Sequence, residues 1–262
     1  MKKILLSLLL LPTIYFAQYT AIPDQNFEQA LIDLGHDDVI DGQVLTANVN
    51  GLSNLPISNY SIEDLTGLES FISLTNLELF GSFESINLSQ LTNLGSLTIW
   101  AQNLISLDLS NNLNLYSLGL SEVYDLSSLD ISQNTNLLSF SMWSQLGSYG
   151  YLDFGNGPYP LTFFGDLDFS HMTNLSSVSI TGTLIRSINL KNGNNQNILF
   201  SSTDNPYLVC IEVDNPSCSS ANWSNVDSHT VFLTNCGSHN PTKTYVPDDE
   251  FEAALENKGY GD

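Results

Sequence analysis

Between Leu94 and Met142 the apolar residues return as one motif, L-x-x-L-x-L, every 10 or 11 residues. It reads Leu94, Leu97, Ile99; Leu104, Leu107, Leu109; Leu115, Leu118, Leu120; Leu126, Leu129, Ile131; and Leu137, Phe140, Met142. The last two members of each triplet are two apart, the alternation of a strand that buries one face, so each triplet predicts a short β-strand. Alternate triplets differ in their polar residues. Leu107-Asp108-Leu109-Ser110 and Leu129-Asp130-Ile131-Ser132 carry Asp and Ser, whereas Leu97-Thr98-Ile99-Trp100 and Phe140-Ser141-Met142-Trp143 do not. The repeating unit is therefore 21 to 22 residues long and holds two strands. A unit of that size cannot bury its own apolar edge and must stack on copies of itself.

The frame extends in both directions. Upstream it takes Leu74, Leu77, Leu79 and Phe83, Ile86, Leu88; downstream it takes Phe164, Leu167, Phe169, then Leu175, Val178, Ile180, then Ile185, Ile188, Leu190. Self-similarity at this period marks a leucine-rich repeat solenoid, a β-rich fold with two short strands per coil, expected here over residues 44–213. Asn93, Asn114, Asn136 and Asn174 each precede the first Leu of a coil, where an amide can bond the backbone of an adjacent turn and stacked coils would align such residues into a ladder.

A helical cap is expected over residues 18–43. Pro23-Asp24 starts a helix whose apolar positions Phe27, Ala30, Leu31 and Leu34 share one face, and Gly35 supplies a left-handed stop. Asp37, Asp38, Asp41 and Gly42 then resemble a calcium loop, but an oxygen ligand is needed where Val39 stands, so a solvated acidic turn is the expectation. At the other end Leu208, Ile211 and Val213 give a last triplet, and residues 214–240 form a second cap, with Trp223 as its plug and Val231 to Leu233 as a closing strand.

The line Ile62-Glu63-Asp64-Leu65-Thr66-Gly67-Leu68-Glu69-Ser70-Phe71, continued by Leu74-Thr75-Asn76-Leu77-Glu78-Leu79, resembles the internalin-type leucine-rich repeats of bacterial surface proteins. The coils from Leu94 onward look like the subgroup in which a Cys often occupies the second strand position. Leu79, Ile99, Leu120, Met142 and Ile180 hold that position here, so the cysteine ladder of the subgroup is absent. The resemblance covers about residues 20 to 240 and implies adhesion and protein or glycan recognition rather than catalysis. Three cysteines in an exported chain imply one disulfide and one thiol left over. The related caps pair a Cys in a C-I-x-V strand with one in an N-C-G ending. That resemblance implies a Cys210–Cys236 bridge with Cys218 free. A zinc site from Cys210, Cys218, Cys236 and His239 lacks the paired C-x-x-C knuckle, and no metal or other cofactor is expected.

Three segments stand outside the repeat. Lys2 and Lys3, the apolar run Ile4 to Leu11 and the break at Pro12 read as a secretory signal peptide over residues 1–17, with cleavage after Ala17 and no lipoprotein Cys near the cut. Met142 and Phe169 lie 27 residues apart where 11 are expected, so residues 144–163, rich in aromatics, Gly and Pro, are an inserted loop. From Val246 to Leu255 the chain repeats Ile22 to Leu31 at an offset of 224, so residues 244–262 read as the start of a second copy of the module.

Composition narrows the function. Lys plus Arg number 6 against 28 Asp plus Glu, a formal charge of -22, which excludes phosphate-backbone binding to nucleic acid and disfavours docking on anionic lipid. The same excess keeps an exported chain soluble and favours a monomer. No G-x-S-x-G, H-E-x-x-H or phosphate-cradling glycine loop occurs, and His36, His171, His229 and His239 fall in turns or caps, so the chain reads as a non-enzyme. Asp166 and Asp168 flank Leu167, but Asp before Leu recurs at Asp108 and Asp130 as part of the coil. The expected function is recognition of an extracellular protein or glycan, without membrane insertion; a polysaccharide-active solenoid enzyme and a structural spacer are the alternatives. Phe80, Trp100 and Trp143 follow the last core position of their strands and point outward by alternation, Trp100 and Trp143 being two coils or about 10 Å apart. They are the candidate ligand residues, with Glu78, Thr98 and Ser141 on the same face.

Overall fold

The computed structural model describes residues 18–58, 61–144 and 165–238; the segments expected to be a signal peptide, an inserted loop beyond Ser144 and the start of a second copy lie outside the described residues. In chain order the elements are β1 (Tyr19–Ala21), α1 (Gln25–Asp33), β2 (Gln43–Leu45), α2 (Thr46–Val49), β3 (Asn54–Ser58), β4 (Asn76–Gly81), β5 (Ser96–Ala101), β6 (Ser117–Ser121), β7 (Ser139–Trp143) and β8 (Leu167–Asp168). They continue with β9 (Ser177–Thr181), β10 (Ser187–Leu190), β11 (Leu199–Thr203), β12 (Cys210–Val213), α3 (Pro216–Asn222) and β13 (Val231–Leu233).

One side of the coil is a seven-stranded sheet in the order β11-β9-β7-β6-β5-β4-β3, parallel at every pairing. Its register matches the sequence triplets residue for residue. Leu77, Leu97, Leu118, Phe140, Val178 and Phe200 form one inward column, and Leu79, Ile99, Leu120, Met142 and Ile180 the next, all buried. A parallel pair needs a long crossover, and here each coil is that crossover, so side chains of equal rank come to lie above one another. Phe140 and Phe169 meet edge to face across the core with centroids 5.1 Å apart. β11 escapes the leucine pattern because Ser202 holds its second core position. That hydroxyl accepts from Asn205 Nδ2 at 3.0 Å, and its backbone bonds Asn225 and Asp227, so segment 223–227 runs along the outer edge of β11. At the opposite edge β3 carries Pro56, which has no N–H to offer a further strand.

The second strand of each coil is less regular than two strands per coil would require. β8, β10, β12 and β13 form a four-stranded parallel sheet, whereas Leu107 to Leu109 and Leu129 to Ile131 are buried without joining a ladder. The Asp108 and Asp130 carboxylates each accept the N–H of the Ser two residues on, at 2.9 Å. Asp168 and Ser170 make the same turn at the end of β8, which does join a ladder, so the turn ends the extended stretch in both settings without deciding whether it pairs.

The asparagine ladder also differs in detail. Asn93, Asn114 and Asn136 do bond carbonyls of the preceding coil, those of Ile72, Thr92 and Leu113, but at exposed sites. The buried ladder is Asn112 and Asn134, both fully inaccessible. Asn112 Nδ2 donates to the Leu88 and Leu91 carbonyls, and Asn134 Nδ2 to those of Leu109 and Asn112. Each of these carbonyls also accepts a backbone N–H, Leu109 from Asn112 and Asn112 from Leu115, so removing the Asn134 amide takes one of two bonds from each at a buried site. Asn134→Ala is therefore expected to cost about 2 kcal/mol, or roughly 4–8 °C of melting temperature by calorimetry, and an unchanged melting temperature would refute this account.

At the N-terminal end β1 pairs antiparallel with β2, and α1 packs Phe27 and Leu31 into the core, Phe27 stacking on Phe71 at 6.1 Å. Asp24 caps the helix and ties it to the first coil. Its Oδ1 accepts the N–H groups of Asn26 and Phe27, and its Oδ2 those of Glu63 and Asp64. Burial opposes its ionisation, but these N–H groups outweigh it and hold the carboxyl below the usual range. Gly35 ends the helix in the left-handed region as expected, with His36 N–H returning to Leu31. The buried face is shifted, however. Leu34, the helix C-cap, is 37 % exposed, and Glu28 is fully buried in its stead. Glu28 Oε1 gathers the N–H groups of Asp41, Gly42 and Gln43 at 2.9, 2.7 and 3.0 Å, giving the acidic turn its shape. Within that turn burial lifts the Asp37 carboxyl above its ordinary value against the Asp38 N–H, and the neighbouring acids Glu28, Asp38 and Asp41 lift it further. Gly67 has φ 101°, and a side chain there would meet the Ala21 carbonyl at 2.3 Å, which explains the glycine of the Asp64-to-Glu69 line.

At the C-terminal end Cys210 and Cys236 are bonded and Cys218 is free, the pairing that the resemblance implied. Trp223 is buried between Phe200 and Phe232, ring centroids 4.7 and 5.5 Å away, and its Nε1 donates to the Ile198 carbonyl at 3.0 Å.

Candidate functional site

Because the inward columns of the seven-stranded sheet are fixed by leucine packing, alternation sends the intervening residues to solvent in three further columns. Glu78, Thr98, Gly119, Ser141 and Ser179 align in one, and Phe80, Trp100, Ser121, Trp143 and Thr181 in the next. The third begins each strand with Asn76, Ser96, Ser117, Ser139 and Ser177. The candidate residues Phe80, Trp100, Trp143, Glu78, Thr98 and Ser141 thus share one face, on β4, β5 and β7.

The aromatic column is closer-knit than strand spacing alone implies. Phe80 and Trp100 have centroids 5.4 Å apart, and Trp100 and Trp143 meet edge to face at 5.9 Å instead of the expected 10 Å. Ser121 separates the two indoles in the ladder and is too small to fill the gap, so they lean toward each other above it. Trp143 nevertheless keeps 37 % of its surface exposed, and Phe80 and Trp100 are half-buried. Gly119 deepens the relief beside them. An added Cβ would lie 3.3 Å from Ser141 Oγ and 3.4 Å from Thr98 Oγ1, so two hydroxyls border a notch in the middle of the face.

Charge is partitioned around the coil. On β4, β5, β6, β7, β9 and β11, with three outward residues each, Glu78 is the sole charged side chain. The other flank carries Asp108, Asp130, Asp168 and Glu212 at the positions between the core pair, Asp168 and Glu212 each being in register with Asn189. These acids are engaged in coil geometry. The Ser110 hydroxyl and N–H hold Asp108 below the usual carboxylate range, and the Ser132 N–H and hydroxyl do the same for Asp130. Asp168 accepts from the Ser170 N–H, Glu212 from the Cys236 N–H and Asp166 from the Ser187 hydroxyl. Asp108, Asp130 and Asp168 thus shape local turns, whereas Asp166 and Glu212 bridge to the next coil and to the cap.

Among the described residues no helix is long and apolar enough to cross a membrane. No protein-family model matches the chain, and no curated protein matches it either. Among solved structures the chain is similar to three internalins of Listeria monocytogenes. The functional domain of InlJ, which includes a cysteine ladder, is 16% identical over 84% of this chain and 72% of that one, with a TM-score of 0.35. Internalin C2 of strain 4b F2365 is 15% identical over 83% of this chain and 98% of that one, with a TM-score of 0.43. Internalin InlF of the same strain is 17% identical over 79% and 76%, with a TM-score of 0.32. These structures represent the family that residues 62–79 resemble; the leucine-rich repeat solenoid itself rests on the in-register ladder from β3 to β11.

Proposed function

We propose that this chain is an exported, cell-surface or secreted recognition module that binds an extracellular ligand on the solvent face of its seven-stranded sheet, without catalysis. One observation carries the reading: three large aromatic side chains stand in contact with one another on the outward face, where the coil pattern elsewhere places Ser or Thr. Nothing in leucine packing calls for them, since the inward columns are complete without them. Exposed indoles gain free energy when a ligand covers them, and Trp is the residue most enriched at binding hot spots. The disulfide between Cys210 and Cys236 suits an oxidising compartment.

The double variant Trp100→Ala/Trp143→Ala, screened with the parent on arrays of glycans and extracellular proteins, tests the reading. Since the two rings touch one another outside the core, their removal is expected to cost less than about 2 kcal/mol of stability. Affinity for whatever the parent retains is expected to fall by more than about 1 kcal/mol per residue. A variant that melts much earlier yet keeps its affinity would make the indoles packing elements and move the site elsewhere.

A further inference from the structure

We infer that the ligand of this face is an uncharged polysaccharide strand, lying along the solenoid axis across β4 to β9, with sugar rings against Phe80, Trp100 and Trp143 and ring hydroxyls against Thr98 and Ser141. The inference rests on the site assignment just made and adds the chemistry of the occupant.

Three observations carry it. The first is charge. The chain holds 28 acidic against 6 basic residues, yet the outward strand positions of this face carry only Glu78. An anionic polymer would need Arg or Lys here and finds none among the outward residues of these strands, while the net charge of the chain repels it. A basic protein would be drawn instead to the flank of Asp108, Asp130 and Asp168. A neutral ligand is the class for which an uncharged patch in an acidic surface discriminates.

The second is hydrogen-bonding type. Ser and Thr hydroxyls donate and accept, as sugar hydroxyls do, so either partner can reorient to satisfy the other. The face offers them in ordered rows: Ser96, Ser117, Ser139 and Ser177 in one register, and Thr98, Ser141 and Ser179 in the next. Successive members of a row repeat at the strand spacing of about 4.8 Å, close to the length of one pyranose unit in an extended chain. A ligand running across the strands therefore meets a hydroxyl at each strand of the Ser96 row, and in the Thr98 row at every strand but that of Gly119.

The third is shape. The aromatic column forms a ridge along one side of the hydroxyl rows, and Gly119 opens a notch bordered by Thr98 and Ser141. Sugars present an apolar ring face and a polar rim, which match the ridge and the notch respectively.

The test is native affinity electrophoresis of the full chain in gels holding mixed-linkage β-glucan, galactomannan, alginate or polygalacturonate, followed by calorimetry on any polymer that retards it. At least one neutral polymer is expected to retard the protein and neither uronate polymer to do so. The dissociation constant should change by less than about twofold between about 50 and 500 mM salt, because no ion pair is screened. Gly119→Thr, whose Cβ pushes the Ser141 and Thr98 hydroxyls aside, is expected to lose about tenfold in affinity, and Trp100→Ala/Trp143→Ala more than about thirtyfold, the fold-change of the loss expected above. Retardation by uronates alone, a strongly salt-dependent affinity, or no retardation by any of the four polymers would overturn the inference. If the double Trp variant abolishes binding to a protein or an anionic glycan, the site assignment stands and the neutral-glycan inference falls. If a neutral polymer binds the parent and both variants equally, the site assignment itself fails and this inference with it.

Discussion

Replacing Glu28 by Ala is expected to lower the unfolding free energy by about 3–4 kcal/mol, because one oxygen of a fully buried carboxylate serves three backbone N–H groups at once. Those N–H groups belong to Asp41, Gly42 and Gln43, the residues that lead into β2, and the Gly42 carbonyl in turn accepts from Ile22. Losing the acceptor therefore loosens the β1–β2 pair as well as the turn. Glu28→Gln keeps an acceptor oxygen at the same reach and is expected to recover more than half of the loss. Denaturant melts of both variants check this, and equal destabilisation by Ala and Gln would show that the acceptor geometry is not what holds the turn.

This residue also marks where the sequence is a poor guide. The coil core is legible because leucine packing imposes one apolar period and every triplet from Leu94 to Met142 repeats it. Glu28 carries no such signal. It sits between Phe27 and Gln29 in a helix whose apolar spacing directs attention to Leu34, and its burial depends on N–H groups 13 to 15 residues away. Asn112 and Asn134 are hidden for a related reason. Their column is shared with Leu91 and Met172, both buried, so it runs Leu, Asn, Asn, Met along the coils and no uniform position stands out. The candidate face was legible as a set of outward positions, since alternation alone assigns Phe80, Trp100 and Trp143 to it. The lean of the two indoles across Ser121 was not, because it depends on what a neighbouring strand fails to fill.

Removing the disulfide by Cys210→Ser/Cys236→Ser is expected to cost roughly 3 kcal/mol, the chain entropy of a loop whose ends are 26 residues apart. The loss should be local before it is global. Cys210 opens β12 and Cys236 follows β13, which is only three residues long and partly exposed, so the bridge reinforces the short β12–β13 ladder and the Phe232–Trp223 contact that hold the last strand. Hydrogen exchange is expected to quicken in β12, β13 and around Trp223 while β4 to β7 keep their protection. Cys218→Ser should leave both the melting temperature and the exchange pattern unchanged, since its half-buried thiol makes only a weak contact, accepting from Asn222 Nδ2 at 3.2 Å. Uniform loss of protection along the whole ladder would show instead that the coils melt as one cooperative block.

The two rims of the seven-stranded sheet have a consequence for how this protein behaves at high concentration. A parallel, in-register sheet is the arrangement that propagates in fibrils, and its outermost strands are the templates on which another chain would grow. Here Pro56 withdraws a donor from β3, and the segment 223–227 already occupies the outer backbone of β11 through Ser202. Growth is thus terminated at both ends by different means, one by deleting a hydrogen-bonding group and the other by consuming it. A chain that displays many aligned strands can in this way be concentrated without seeding its own polymerisation.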